Sequence, residues 1–393
     1  MSKQLLRLVI LGMAGRTPFA GIAWQALHYL EAFRRLGHEV YYVEDTGDWP
    51  YDPEKNAITD DCSYTVNYIA RLMEWCGLRE RWAYCAAAQG NRMFGLSDSQ
   101  VSRLFESADV IVNLTGATVL REQHLRVPIR IYLETDPVLP QIEVAQGRSF
   151  TIDMLSAHTH HFTYAENLGA PDCGVPSGPF HYRPTRQPII LDWWRSETRR
   201  PASANCGRFT TVASWQQCGK DVEWRGETYT WSKHLEFLKF IDLPDRCSEP
   251  LELALACSDA EAIRLLTSHG WQIVDAISLS KDILPYRDYI LYSRGEFTVA
   301  KDMNIRLRSG WFSDRSACYL AAGKPVITQD TGFGRVIPTG EGLFAFSTME
   351  EILSAFDALR SDYGRHCRTA LAIAEQYFRA ETVLARLLND LGL

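Results

Sequence analysis

Short apolar runs alternate with amphipathic helical stretches along this chain, break off at a Pro-, Gly-, Ser- and Arg-rich segment over residues 170–205, and then begin again. This alternation limits the fold more than any other feature. A strand buried on both faces and followed by a helix belongs to a parallel sheet with crossover connections. The first run, LRLVILGMA (6–14), leads through the loop GRTPFAG into IAWQALHYLEAFRRLG, where Trp24, Leu27, Leu30 and Phe33 recur at helical spacing and Gly37 ends the helix. EVYYVED (39–45) is a second strand, and further strands are expected at 109–116, 129–137 and 160–169, with helical stretches at 64–76 and 98–106. After the break come strands at 208–215 and 251–257, the helical SKHLEFLKFIDL, and a helix over 259–269 that opens on the capping pattern S-D-A-E. WQIVDA and YRDYILYSRGEF follow, and residues 363–391 read as a long helix.

The expected class is α/β: two Rossmann-like, doubly wound domains facing each other across a cleft. The boundaries are 1–180, a linker at 181–205, 206–362, and a terminal helix at 363–393. Ligands of such sheets lie beyond the carboxyl ends of the strands. Composition agrees. The 393 residues suffice for two ordinary cores, and 46% hydrophobic with 23% charged residues is usual for a globular chain. The formal charge of −7, with charges interspersed, argues against a nucleic-acid binder, although a local basic face can sit inside an acidic total.

No apolar run approaches the roughly 20 residues needed to span a bilayer. A first strand explains MSKQLLRLVILGMAG better than a signal peptide. None of the ten cysteines forms a C-x-x-C pair, so reduced, mostly buried thiols in a cytoplasmic protein are expected. His158, His160 and His161 form the one histidine cluster, with no acidic or thiol neighbour in sequence, and suit a polar wall better than a metal site.

Residues 309–334, SGWFSDRSACYLAAGKPVITQDTGFG, read as a loop entering a short helix near Ser313, a turn at Gly323, the strand PVITQ, and a second glycine turn. A helix start offers unpaired N–H groups and positive dipole charge, which favour an anion. Ser313 can cap it, Asp314 and Ser316 share its backbone, and Arg315 can add a fork suited to phosphate oxygens. Arg315 also suits a plain surface ion pair.

The run Ala321, Gly323, Pro325, Val326, Thr331 and Gly332, together with the helix-to-strand step from Arg34 to Asp45, resembles the GT-B class of nucleotide-sugar glycosyltransferases. The resemblance implies a C-terminal domain that holds the nucleotide diphosphate, an N-terminal domain that holds the acceptor, a final helix that crosses back, and no resident metal or other cofactor. It also implies an Arg/Lys pair near Lys233, with Lys220 or Arg225 as the partner. Two departures stand out. Gly310 and Cys318 occupy the positions where retaining members carry two glutamates, and the loop GMAGRTPFAG lacks the base histidine of an inverting branch.

The remaining candidates follow from position. Arg294, Glu296, Lys301, Arg306 and Arg308 crowd SRGEFTVAKDMNIRLRSG, which suits either a lined cleft or a solvated hairpin. Thr331 and Gly332 follow a strand, where a turn can approach a phosphate or a sugar. Gly12, Ala20 and Gly21 leave room for substrate beneath the first helix, with Phe19 and Glu134 on the acceptor side of the cleft, although Phe19 and Trp24 also suit the core. A base is needed if the reaction inverts, and Asp136, in LETDP, is the best placed unless its role is simply to turn the chain with Pro137; Glu296 is a second tentative catalytic carboxylate, and Glu134, Glu166 and Asp45 are rivals. Trp193 and Trp194 suit a sugar platform or hinge packing.

The expected activity is transfer of a hexosyl or related sugar from a UDP- or dTDP-like donor to an acceptor, whether natural product, glycan, lipid or modified DNA base. A nucleotide-sugar epimerase or hydrolase, or a binding protein without turnover, is the alternative. A nicotinamide oxidoreductase is weaker, because G-M-A-G-R-T does not match G-x-G-x-x-G.

Overall fold

The computed structural model describes residues 5–195, 207–217 and 219–393; Cys206, Cys218 and the 196–205 part of the expected linker lie outside them. The first half is built on an eight-stranded sheet in the order Tyr182–Pro184, His160–Thr163, Ile129–Glu134, Val110–Leu114, Arg7–Leu11, Glu39–Glu44, Trp82–Ala86, Arg92–Gly95. Neighbours are parallel except the last pair, a hairpin. Its central strands are apolar on both faces because both are covered. Leu8, Ile10 and Tyr42 meet Leu27, Leu30 and Phe33 of the helix Ala20–Arg35 on one side, while Val9, Leu11 and Val43 meet Val101, Leu104 and Phe105 of the helix Asp98–Ser107 on the other.

The second half carries six parallel strands in the order Gln272–Asp275, Leu251–Ala256, Phe209–Ser214, Gly295–Thr298, Val326–Gln329, Leu343–Phe346. Two features differ from the sequence reading. Tyr182–Pro184, inside the expected linker, pairs with His160–Thr163 and extends the first sheet. The long terminal helix is instead Tyr363–Ile373, a π turn at Ala374–Phe378, and Ala380–Asn389. At that break the chain returns to the first half. The Ile189 N–H donates to the Phe378 carbonyl at 2.7 Å, the Ala380 N–H donates to the Ile189 carbonyl at 3.0 Å, and Arg35 pairs with Glu381 at 3.1 Å. Trp194 is fully buried, with its ring 5.1 Å from Trp24, so the tryptophan pair packs this junction and forms no platform.

The two halves also meet at Asn167. Its N–H donates to the Ser309 carbonyl at 3.1 Å, and its side-chain amide donates to the Arg308 carbonyl at 2.8 Å. Gly310 sits directly against it with φ +79°, and a Cβ there would lie 2.5 Å from the Asn167 backbone nitrogen. A retaining-type glutamate has no space at this position. Gly310→Ala is expected to cost about 1–3 kcal/mol through left-handed strain and a backbone clash. Urea unfolding would read it; a loss below about 0.5 kcal/mol would show that the loop absorbs the methyl group.

Candidate functional site

The strands of the second sheet end facing the 134–136 loop of the first, and charged side chains collect between them. The floor is a buried ion pair. Glu296, on the strand Gly295–Thr298, is fully buried and accepts from Arg315 Nε at 2.6 Å. Arg315 is the second residue of the helix Asp314–Ala321. Its side chain folds back over the sheet, donating to Thr298 Oγ1 at 2.9 Å and to the Val212 carbonyl. The guanidinium expected to grip phosphate is thus engaged by the protein itself, and Glu296 is its counter-ion, not an accessible base. Ser313 stands at the N-cap without a side-chain cap bond, and the hydroxyl of fully buried Ser316 has no partner among the described residues.

Three lysines make up the rest of the cluster, and one of them, exposed Lys220, lies with its Nζ 4.5 Å from the Trp231 ring centre beside Lys301. Lys233, at the N-cap of the short helix His234–Leu238, has no ion pair among the described residues; its Nζ lies 5.6 Å from the centre of the Trp311 ring. Burial, with repulsion from Arg315 and Lys301, pushes its pKa down to about 7. Lys301 is nine-tenths buried, its Nζ 3.3 Å from the Trp231 ring centre and 2.5 Å from Asp136 Oδ1. Burial lowers its pKa despite that carboxylate. Asp136 keeps 44% of its side chain exposed, and Trp311 Nε1 donates to the Thr135 carbonyl beside it at 2.9 Å. Asp136 and Lys301 therefore meet across the two halves at the sheet ends.

Other expected residues lie elsewhere or are already committed. Arg294 precedes its strand, so it sits at the amino end of the sheet, paired with Glu249 at 3.0 Å and stacked on Tyr363; it is outside the cluster. Thr331 Oγ1 donates to the Trp311 carbonyl at 2.6 Å, and the Gly332 N–H donates to Asp330 at 2.8 Å, so the hydroxyl of the one and the amide of the other hold the turn. Glu134 is buried, accepts from Gln141 at 2.8 Å and Thr163 at 2.5 Å, and is pushed up to about 8 by burial. It braces the wall and leaves the cleft to Asp136.

Glu166 pairs with Arg186 and Asp45 with Arg121. His158 and His161 are buried against Asn113 and the Leu155 carbonyl, and no group of three metal-binding side chains occurs among the described residues. Phe19 caps the first helix with its ring 5.7 Å from Tyr51, Ala20 is buried, and Gly21 is exposed toward the second half. Gln25, Trp231, Tyr286 and Trp311 were not legible in the sequence as site residues. Trp231, two positions before Lys233, was the one available signal.

No family model and no curated relative matches the sequence. Solved structures do match, over essentially the whole chain. An alpha-glucosyltransferase in complex with UDP and a 13-mer DNA is 13% identical, covers 100% of both chains and superposes with a TM-score of 0.59. The chain has the GT-B fold. HepE of Anabaena, in complex with UDP and glucose, is 11% identical with a TM-score of 0.58, over 98% of this chain and 99% of that one. AviGT4, a glycosyltransferase involved in avilamycin A biosynthesis, is 12% identical with a TM-score of 0.51, over 98% and 96%. In GT-B terms, the lysines lie in the second half and Asp136 in the first. No helix among the described residues is long and apolar enough to cross a membrane.

Proposed function

We propose that this chain is a glycosyltransferase that moves a sugar from a UDP-sugar donor to a hydroxyl acceptor held by the first half. The observation that carries the proposal is Lys233, a crowded lysine that makes no direct ion pair among the described residues and feels Glu296 and Asp136 only at a distance, next to Lys301 at the carboxyl ends of the second sheet. Nature tolerates such a group where an anion arrives to neutralise it. Glycosyl transfer passes through an oxocarbenium-like state while negative charge grows on the leaving diphosphate, and preorganised cations stabilise that charge. The two lysines supply it without calling on a metal ion.

Asp136 is the carboxylate placed to take the acceptor proton once Lys301 turns toward the donor. The eight described cysteines are unpaired, which fits a reducing compartment, and we place the enzyme in the cytoplasm. The acceptor class, whether glycan, lipid, natural product or modified base, stays with the first half.

A panel of UDP- and dTDP-sugars tests this reading by thermal shift and by release of nucleoside diphosphate. UDP at about 100 times its Kd is expected to add about 2.7 kcal/mol of stability. Stabilisation by UDP-sugars without turnover on any acceptor would reduce the chain to a binding protein. No response to any nucleoside diphosphate would remove the donor site.

A further inference from the structure

A second set of polar groups lies where the first helix of one half meets two helices of the other. Gln25 Nε2 donates to Asp314 Oδ2 at 3.3 Å, joining the helix Ala20–Arg35 to the start of the helix Asp314–Ala321. One turn earlier on the same helical face is Gly21, which is exposed; a Cβ there would meet nothing nearer than the Tyr286 hydroxyl at 3.8 Å. Tyr286, on the helix Ile283–Tyr292, is 5% exposed, and its hydroxyl has no hydrogen-bond partner among the described residues. Three polar groups from three helices thus border an opening kept free by a glycine.

The chemistry of these groups is selective. Burial raises the Asp314 carboxyl to about 7, with the charge of Asp136 adding to the effect. A carboxyl that is partly protonated near neutrality both donates and accepts, as does a tyrosine hydroxyl, while the Gln25 amide adds a donor and an acceptor. Such a set matches neutral vicinal hydroxyls and disfavours a second anion.

Resting on the donor reading above, we infer that Gly21, Gln25, Tyr286 and Asp314 form the subsite that reads the ring hydroxyls of the donor sugar. Gly21 provides the space and Asp314 the orientation. The lysines hold the diphosphate, and these four groups distinguish one sugar from its epimers. Selectivity arises because an epimer leaves buried polar groups unpaired.

The test is isothermal titration of the wild type, Gly21→Leu and Asp314→Ala with UDP, with UDP-glucose and UDP-galactose, and with the 2-deoxy analogue of whichever binds better. Gly21→Leu fills exposed space on a helix with a better helix former, so folding is expected to survive, and circular dichroism confirms it. Gly21→Leu is expected to weaken the preferred UDP-sugar at least about tenfold while UDP changes less than about twofold. Asp314→Ala is expected to erase most of the discrimination between the epimers.

Equal weakening of UDP and UDP-sugar, or no change in either, overturns the subsite while leaving the donor site in place. A wild type that binds no nucleoside diphosphate overturns the donor reading, and this one with it.

Discussion

Arg315→Met is expected to destabilise the protein by about 3–5 kcal/mol, because it removes one member of a buried pair and leaves the other charge stranded. Glu296 is fully buried, its second oxygen already lacks a partner, and Arg315 is the cation bonded to it at 2.6 Å. The substitution also frees the Thr298 hydroxyl and the Val212 carbonyl, both acceptors of the same guanidinium. Denaturant unfolding checks the size of the loss. The double variant Arg315→Met, Glu296→Leu is expected to recover most of it, since apolar groups of similar volume can replace a buried pair. If the single variant were as stable as the wild type but lost UDP affinity, Arg315 would be a ligand-gripping residue after all.

Replacing Lys233 by Ala is expected to weaken UDP binding about 10- to 100-fold, the share of a charge-assisted hydrogen bond, with little loss of folding stability. The sign of the stability term follows from its pKa. The folded value, about 7, lies below the ordinary 10.5, so the unfolded chain holds this proton more tightly between those limits. Lys233 therefore opposes folding at and below pH 7, and the penalty fades as the pH rises toward 10.5.

Binding runs the other way. An arriving diphosphate favours the charged lysine, so UDP binding above pH 7 takes up a proton and weakens as the pH rises toward 10. Titration calorimetry in two buffers of different ionisation enthalpy measures that uptake, and Lys233→Ala should abolish it. Proton uptake that persists in the variant would assign the titration to another group.

Much of the architecture was legible because it rests on local patterns. The runs at 6–14, 39–45, 109–116 and 208–215 are apolar enough to announce buried parallel strands, and each occurs as one. The hairpin Trp82–Ala86 with Arg92–Gly95 was missed, since WAYCAAAQGNRMFG mixes small and polar residues and has no alternation. The strand Leu343–Phe346 and the helix Met349–Ser361 were also missed. The terminal helix was read as continuous because its apolar spacing hides the turn at Phe378, where pairing with Ile189 outweighs helical hydrogen bonding.

By itself, the sequence determined the two α/β halves and directed attention to the segment beginning at Ser309, since apolar periodicity and glycine turns act over neighbouring residues. It also placed Lys233, Lys301 and Asp136 on loops after strands, where ligands of such sheets gather. The tertiary structure alone decided which charges are spent and which are free. Arg315 was the natural phosphate fork until Glu296, 19 positions earlier, was found to hold it. Asp314 was one acid of a helix start until Gln25, 289 positions earlier, joined it to Gly21 and Tyr286. A side chain's charge state and availability depend on what is packed within a few ångströms of it, and in a parallel α/β fold those neighbours are remote in sequence.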